Sequence, residues 1–89
     1  MNTVTATELV AAINETGKAT AQVINDDYDT FDVNFPDGSC RACQVEAFLF
    51  QRIGWTEFDS NGEIVDVDGG CKADESDTPE DIAARIASK

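Results

Sequence analysis

Two tight-turn signals constrain this chain more than any other feature. Pro36-Asp37-Gly38 follows Phe31, Val33 and Phe35, which alternate with Asp32 and Asn34. The alternation reads as a half-buried strand, and the turn residues supply what a hairpin needs: a fixed φ, a local acceptor and a residue at positive φ. Ser60-Asn61-Gly62 serves the same purpose as a three-residue loop between Trp55–Asp59 and Glu63–Val67. Strands joined this tightly are antiparallel neighbours.

Helices are expected at both ends. Thr5-Ala6-Thr7-Glu8 has the spacing of a capping box, Leu9, Val10 and Ile13 form one apolar face, and Gly17 suits a left-handed stop. The first helix is therefore predicted over Ala6–Thr16. Thr78-Pro79-Glu80-Asp81 starts the last helix, with an N-cap, proline in the first turn and acids at the positive dipole end. Ile82, Ala83 and Ile86 supply its buried stripe.

Between the helices, Lys18–Ile24 reads as strand, Asn25–Asp29 as a polar turn, Ser39–Val45 as strand and Asp68–Asp77 as an acidic loop. Glu46–Ile53 reads as a short helix ended by Gly54, with an extension of the preceding strand as the alternative. The expectation is a single acidic α+β domain over residues 1–89: a small antiparallel sheet of hairpins with flanking helices, order α-β-β-β-α-β-β-α.

Composition narrows the function. A chain of 89 residues keeps roughly 5,000 Å² of surface and has no spare volume for a deep substrate cavity. No apolar run approaches the roughly 18 residues that span a bilayer, and Met1–Ala12 lacks the basic flank of a secretion signal. Three cysteines, an odd number, fit a reducing compartment. The expected location is the cytoplasm, with no membrane partner.

Each candidate for chemistry has a plainer reading. Cys40-x-x-Cys43 is expected within a strand, which puts the two thiols on opposite faces, whereas a redox pair normally opens a helix. Cys40, Cys43 and Cys71 give three thiolates, and zinc would need a fourth ligand such as Asp74 because the chain has no histidine. Asp59-Ser60-Asn61-Gly62-Glu63 lacks the spacing of a calcium loop, with Gly70 where the bidentate glutamate belongs. No histidine stands ready to activate Ser39 or Ser60. The expectation is a chain that is not an enzyme and needs no cofactor or metal.

Charge is the remaining feature. Eighteen Asp and Glu face six Lys and Arg, for a net −12. Such a surface repels nucleic acid and attracts a basic protein. The acids expected to make the contact are Asp26, Asp27 and Asp29 in the first turn, with Glu57, Asp59, Glu63, Asp66, Asp68, Asp74, Glu75 and Asp77 later. Density sets a condition. B-DNA carries roughly one charge per 100 Å² of its cylinder, and eighteen acids over roughly 5,000 Å² are only about one per 280 Å². Imitating a nucleic-acid backbone therefore requires most of the acids on one face.

In size, charge and α+β layout the chain resembles the small acidic inhibitors encoded by phages and mobile elements, among them anti-CRISPR proteins. It is also similar to the uracil-DNA glycosylase inhibitor family at Glu15-Thr16-Gly17-Lys18 and Asp59-Ser60-Asn61-Gly62-Glu63, nine residues that turn chemistry alone also favours. The resemblance implies an inhibitor acting in a host bacterial cell on a basic nucleic-acid-binding protein or a Cas effector complex, without binding nucleic acid itself. An acidic structural or adaptor module of a virion, touching its partner through Trp55, Phe50 or Tyr28, is the alternative.

Overall fold

The computed structural model describes residues 4–47 and 51–88. In chain order the elements are α1 (Ala6–Thr16), β1 (Thr20–Asn25), β2 (Thr30–Asn34), β3 (Cys40–Ala47), β4 (Gln51–Phe58), β5 (Ile64–Lys72) and α2 (Pro79–Ile86). The strands form one antiparallel meander in the spatial order β1-β2-β3-β4-β5. The class is α+β, with the order α-β-β-β-β-β-α.

Local chemistry sets most of the boundaries. Thr5 and Glu8 close a reciprocal capping box, and Gly17 ends α1 at φ 71°. Thr78 and Asp81 do the same at the start of α2, with Pro79 in the first turn. The Pro36-Asp37-Gly38 turn closes through the Gly38 N–H on the Phe35 carbonyl (3.0 Å), with Gly38 at φ 92°. In the Ser60-Asn61-Gly62 loop, Asp59 Oδ1 accepts from the Asn61 and Glu63 N–H groups at 2.9 and 3.0 Å, with Gly62 at φ 82°.

One face of the sheet carries Phe31, Val33, Cys43 and Ile53 into a core shared with Leu9 and Ile13 of α1 and Ile82 and Ile86 of α2. The register explains the alignment: Phe31 faces Cys43, which faces Trp55, while Val45 faces Ile53, which faces Cys71. The opposite face carries Ala42 and Gln44, both exposed, and Gly54.

Two sequence expectations are corrected. Glu46–Ile53 is not a helix: Glu46 and Ala47 end β3, Gln51–Ile53 begin β4, and Glu46 stands opposite Arg52. The hairpin buries Ile53 fully and places an Arg52–Glu46 ion pair across the strands. Phe48, Leu49 and Phe50, also in the expected helix, lie outside the described residues. Nor does the strand end at Val67. β5 runs on through Lys72, so the first part of the expected Asp68–Asp77 loop is sheet. The glycines misled because they read as punctuation, whereas each leaves room for a neighbour. A side chain at Gly54 would meet the Glu46 carboxylate, one at Gly69 the Trp55 indole, and one at Gly70 the Arg52 guanidinium.

Candidate interaction surface

The charged surface depends first on what the arginines do. Arg41 lies on the helix-covered face of β3, almost fully buried. Its Nε donates to Glu57 Oε1 at 2.9 Å, and its Nη1 donates to the carbonyls of Ile86 and Ser88 at 2.6 and 3.0 Å. Its guanidinium carbon stands 5.0 Å from the Phe35 ring centroid and 4.5 Å from that of Trp55. A buried cation is costly unless its hydrogen bonds are satisfied. Here the carboxylate, the negative end of α2 and two ring faces surround it. Arg52 pairs with Glu46, and Arg85 grips Asp77 through two nitrogens at 2.7 and 2.9 Å. All three arginines are thus held by the chain's own carboxylates. Removing those three pairs from eighteen acids and six bases leaves fifteen acids against Lys18, Lys72 and Lys89.

The acids expected to form one patch divide into several groups. Asp26, Asp27 and Asp29 sit in the β1–β2 turn, at one end of the sheet. Asp59 and Glu63 flank the β4–β5 loop at the other end, beyond strands of eight residues that extend about 26 Å. Asp66 and Asp68 lie between the ends on β5, and Asp74, Glu75 and Asp77 follow it. With 5453 Å² of accessible surface, eighteen acids average about one per 300 Å². A single DNA-like face over all eleven positions is therefore not what the fold builds.

Five of those carboxylates have internal work. Asp29, at φ 49°, accepts from the Ala6 N–H at 2.9 Å and so holds the start of α1. Glu57 holds Arg41. Asp59 holds its turn by accepting from the Asn61 and Glu63 N–H groups. Asp77 is held below the usual carboxylate range by the Arg85 hydrogen bonds and then by the Asp74 N–H. Asp66 accepts from the Asp68 N–H at 2.9 Å and is nonetheless exposed; with Asp26, Asp27, Glu63, Asp68, Asp74 and Glu75 it makes seven exposed acids.

Five of the seven follow β5. Glu63, Asp66 and Asp68 lie along this edge strand, and Asp74 and Glu75 continue past its end. Between them Ile64, Val65 and Val67 are 60%, 57% and 63% exposed. Sequence reasoning placed these residues in the hairpin strand Glu63–Val67 and singled out no exposed apolar set there. The available signal was the adjacent pair Ile64-Val65, which no single face of a strand can bury. The β4–β5 register shifts between Trp55 and Glu57 and again between Glu57 and Phe58. Val67 and Asp68 consequently both line a shallow depression of about 290 Å³ on the open face, floored by Ala42, Gly54 and Thr56.

Trp55 is half-buried against Arg41, so it is not the free apolar contact expected from sequence, whereas Tyr28 is exposed. The thiols fall as the strand phase dictates. Cys43 is buried in the core and Cys40 stands on the opposite face; all three cysteines are unbridged. Burial pushes the Cys43 thiol up to about 12 and raises that of Cys71. Among the described residues no three Cys, Asp or Glu side chains converge as metal ligands, and no helix is long and apolar enough to cross a membrane.

The fold and this edge define a small acidic α+β meander with one side helix-covered and one side open. Comparison with family models, curated protein sequences and solved structures gives no match.

Proposed function

We propose that this chain is a binding protein of the phage-inhibitor type that occupies the cationic, nucleic-acid-binding surface of a host defence complex, such as a CRISPR effector, in the host cytoplasm. One observation carries the reading. The fold holds its three arginines in internal pairs and aligns Glu63, Asp66, Asp68, Asp74 and Glu75 along one side of the molecule. That side holds five of the eleven acids expected from sequence to form one patch. Its carboxylates would meet lysines and arginines that otherwise hold phosphates. No catalytic step is part of the reading.

The test is retention of host proteins on the immobilised chain, with duplex DNA as competitor. Nucleic-acid-binding proteins should be retained at low salt and released by salt or by DNA. The triple variant Glu63→Lys, Asp66→Lys, Asp68→Lys should retain none of them. Retention that ignores both the variant and the DNA overturns the reading.

The exposed Ile64, Val65 and Val67 favour a second reading, an adaptor that touches its partner through apolar side chains. That contact would survive high salt and would not be displaced by DNA.

A further inference from the structure

We propose that β5 is a docking edge at which an extended, cationic segment of a partner protein adds as a sixth strand. The inference deepens the function proposed above and takes from it only the sign of the partner's charge.

Among the described residues β5 has a single neighbouring strand, β4. In a regular antiparallel pair, bonded and non-bonded residues alternate, so on either side of the register shifts every second residue of β5 turns its N–H and C=O away from β4. The Ala73 N–H bonds the Gln51 carbonyl, and the Asp59 N–H bonds the Glu63 carbonyl. Counting from those two ends, Lys72, Gly70 and Ile64 point outward. The Lys72 carbonyl is covered by Arg85 Nη1 at 3.0 Å. The stretch from Ile64 to Gly70 spans about 23 Å, the length of an ordinary strand; within it the Asp68 N–H is already taken by Asp66 Oδ1 at 2.9 Å, so an added strand would bond at the Ile64 and Gly70 ends.

Side chains then select the occupant. Ile64, Val65 and Val67 offer β-branched surface that this chain leaves mostly in solvent. Asp66 and Asp68 stand among them and exposed, beside Glu63. A second copy would bring these carboxylates against their own kind and join two chains of net −12. An extended segment with Lys or Arg alternating with apolar residues meets both the charges and the valines. Strand addition of this sort draws affinity from backbone bonds and selectivity from side chains.

The experiment is amide hydrogen exchange followed by NMR on the intact chain, with three acetylated octapeptides as probes. One alternates lysine and valine, one is its heterochiral form with D-lysine, and one alternates aspartate and valine. The first should slow exchange at Ile64 and Gly70, leave β1 unchanged, and bind about tenfold more weakly to Asp66→Lys/Asp68→Lys. The heterochiral peptide keeps the charge but cannot lie flat as a strand, so it should give no protection. The aspartate peptide should not bind. Equal protection by the heterochiral peptide, protection at β1, or sedimentation of the free chain as a β5-linked dimer overturns the proposal. Protection by the first peptide alongside failure of the DNA competition would keep the docking edge and remove only the nucleic-acid-binding target.

Discussion

The two edges of the sheet are treated differently by the same chain. At β1, the Asn14 side chain reaches from α1 and bonds both backbone groups of Ala21: its Oδ1 accepts from the N–H at 2.8 Å, and its Nδ2 donates to the carbonyl at 3.1 Å. The carboxamide stands where another strand's peptide would stand. At β5 Asp66 Oδ1 accepts from the Asp68 N–H at 2.9 Å and Arg85 covers the Lys72 carbonyl, but among the described residues no side chain bonds both backbone groups of one β5 residue as Asn14 does at Ala21. Natural proteins blunt edges with charge and register irregularities, and β5 has both. These devices deter self-pairing, and the docking proposed above would use the backbone groups that they leave at Ile64 and Gly70.

Three substitutions and one labelling experiment test this contrast. The most severe acts through Arg41, which fixes the C-terminal end of α2 against the sheet. Arg41→Ala leaves Glu57 without its cation and the Ile86 and Ser88 carbonyls without their donor. A loss of about 3 kcal/mol is expected in urea denaturation. Both edges would then exchange through global unfolding and become indistinguishable.

Asn14→Ala uncovers β1 alone. It should cost about 1–2 kcal/mol for two lost hydrogen bonds. The Ala21 amide should lose its exchange protection while the amides of β5 keep theirs. If Ala21 stays protected, the carboxamide is not what closes this edge.

The thiols report the faces rather than the edges. In alkylation at pH 8 followed by mass spectrometry, Cys40 should react first, Cys71 more slowly and Cys43 last. The Cys43 thiol, pushed up to about 12 by burial, stays protonated across the neutral range. Labelling of Cys43 as fast as Cys40 would mean that the helix layer opens readily.

The smallest expected effect concerns the Arg85–Asp77 pair beside the last residue of β5. The folded-state value of Asp77 lies below its ordinary one, so its contribution is present at neutral pH and lost as pH falls through the lowered value. Asp77→Asn should therefore lower Tm slightly at pH 7, with the difference closing at acid pH. The pair is on the surface, which keeps the effect small.

Local signals carried the ends and the turns of this molecule. Capping residues fixed α1 and α2, and Gly38 and Gly62 fixed two of the hairpins, because these choices are made within a few residues of chain. The Glu46–Ile53 segment was not legible in that way. Its apolar spacing suits a short helix, and only the pairing of Glu46 with Arg52 and of Val45 with Ile53 turns it into two strands. Gly69 and Gly70 resemble a loop until Trp55 and Arg52, distant in sequence, occupy the space above them.

The candidate surface divides along the same line. The sequence alone determined the charge excess, the α+β class and the opposite facing of Cys40 and Cys43, since each follows from counting or from a period of two. Which carboxylates remain on the surface was decided by tertiary structure. Asp29, Glu57 and Asp77 are held by Ala6, Arg41 and Arg85, partners that only folding brings within bonding distance. The open edge at β5 was likewise decided there, because a strand's position in a sheet depends on its neighbours and not on its own residues.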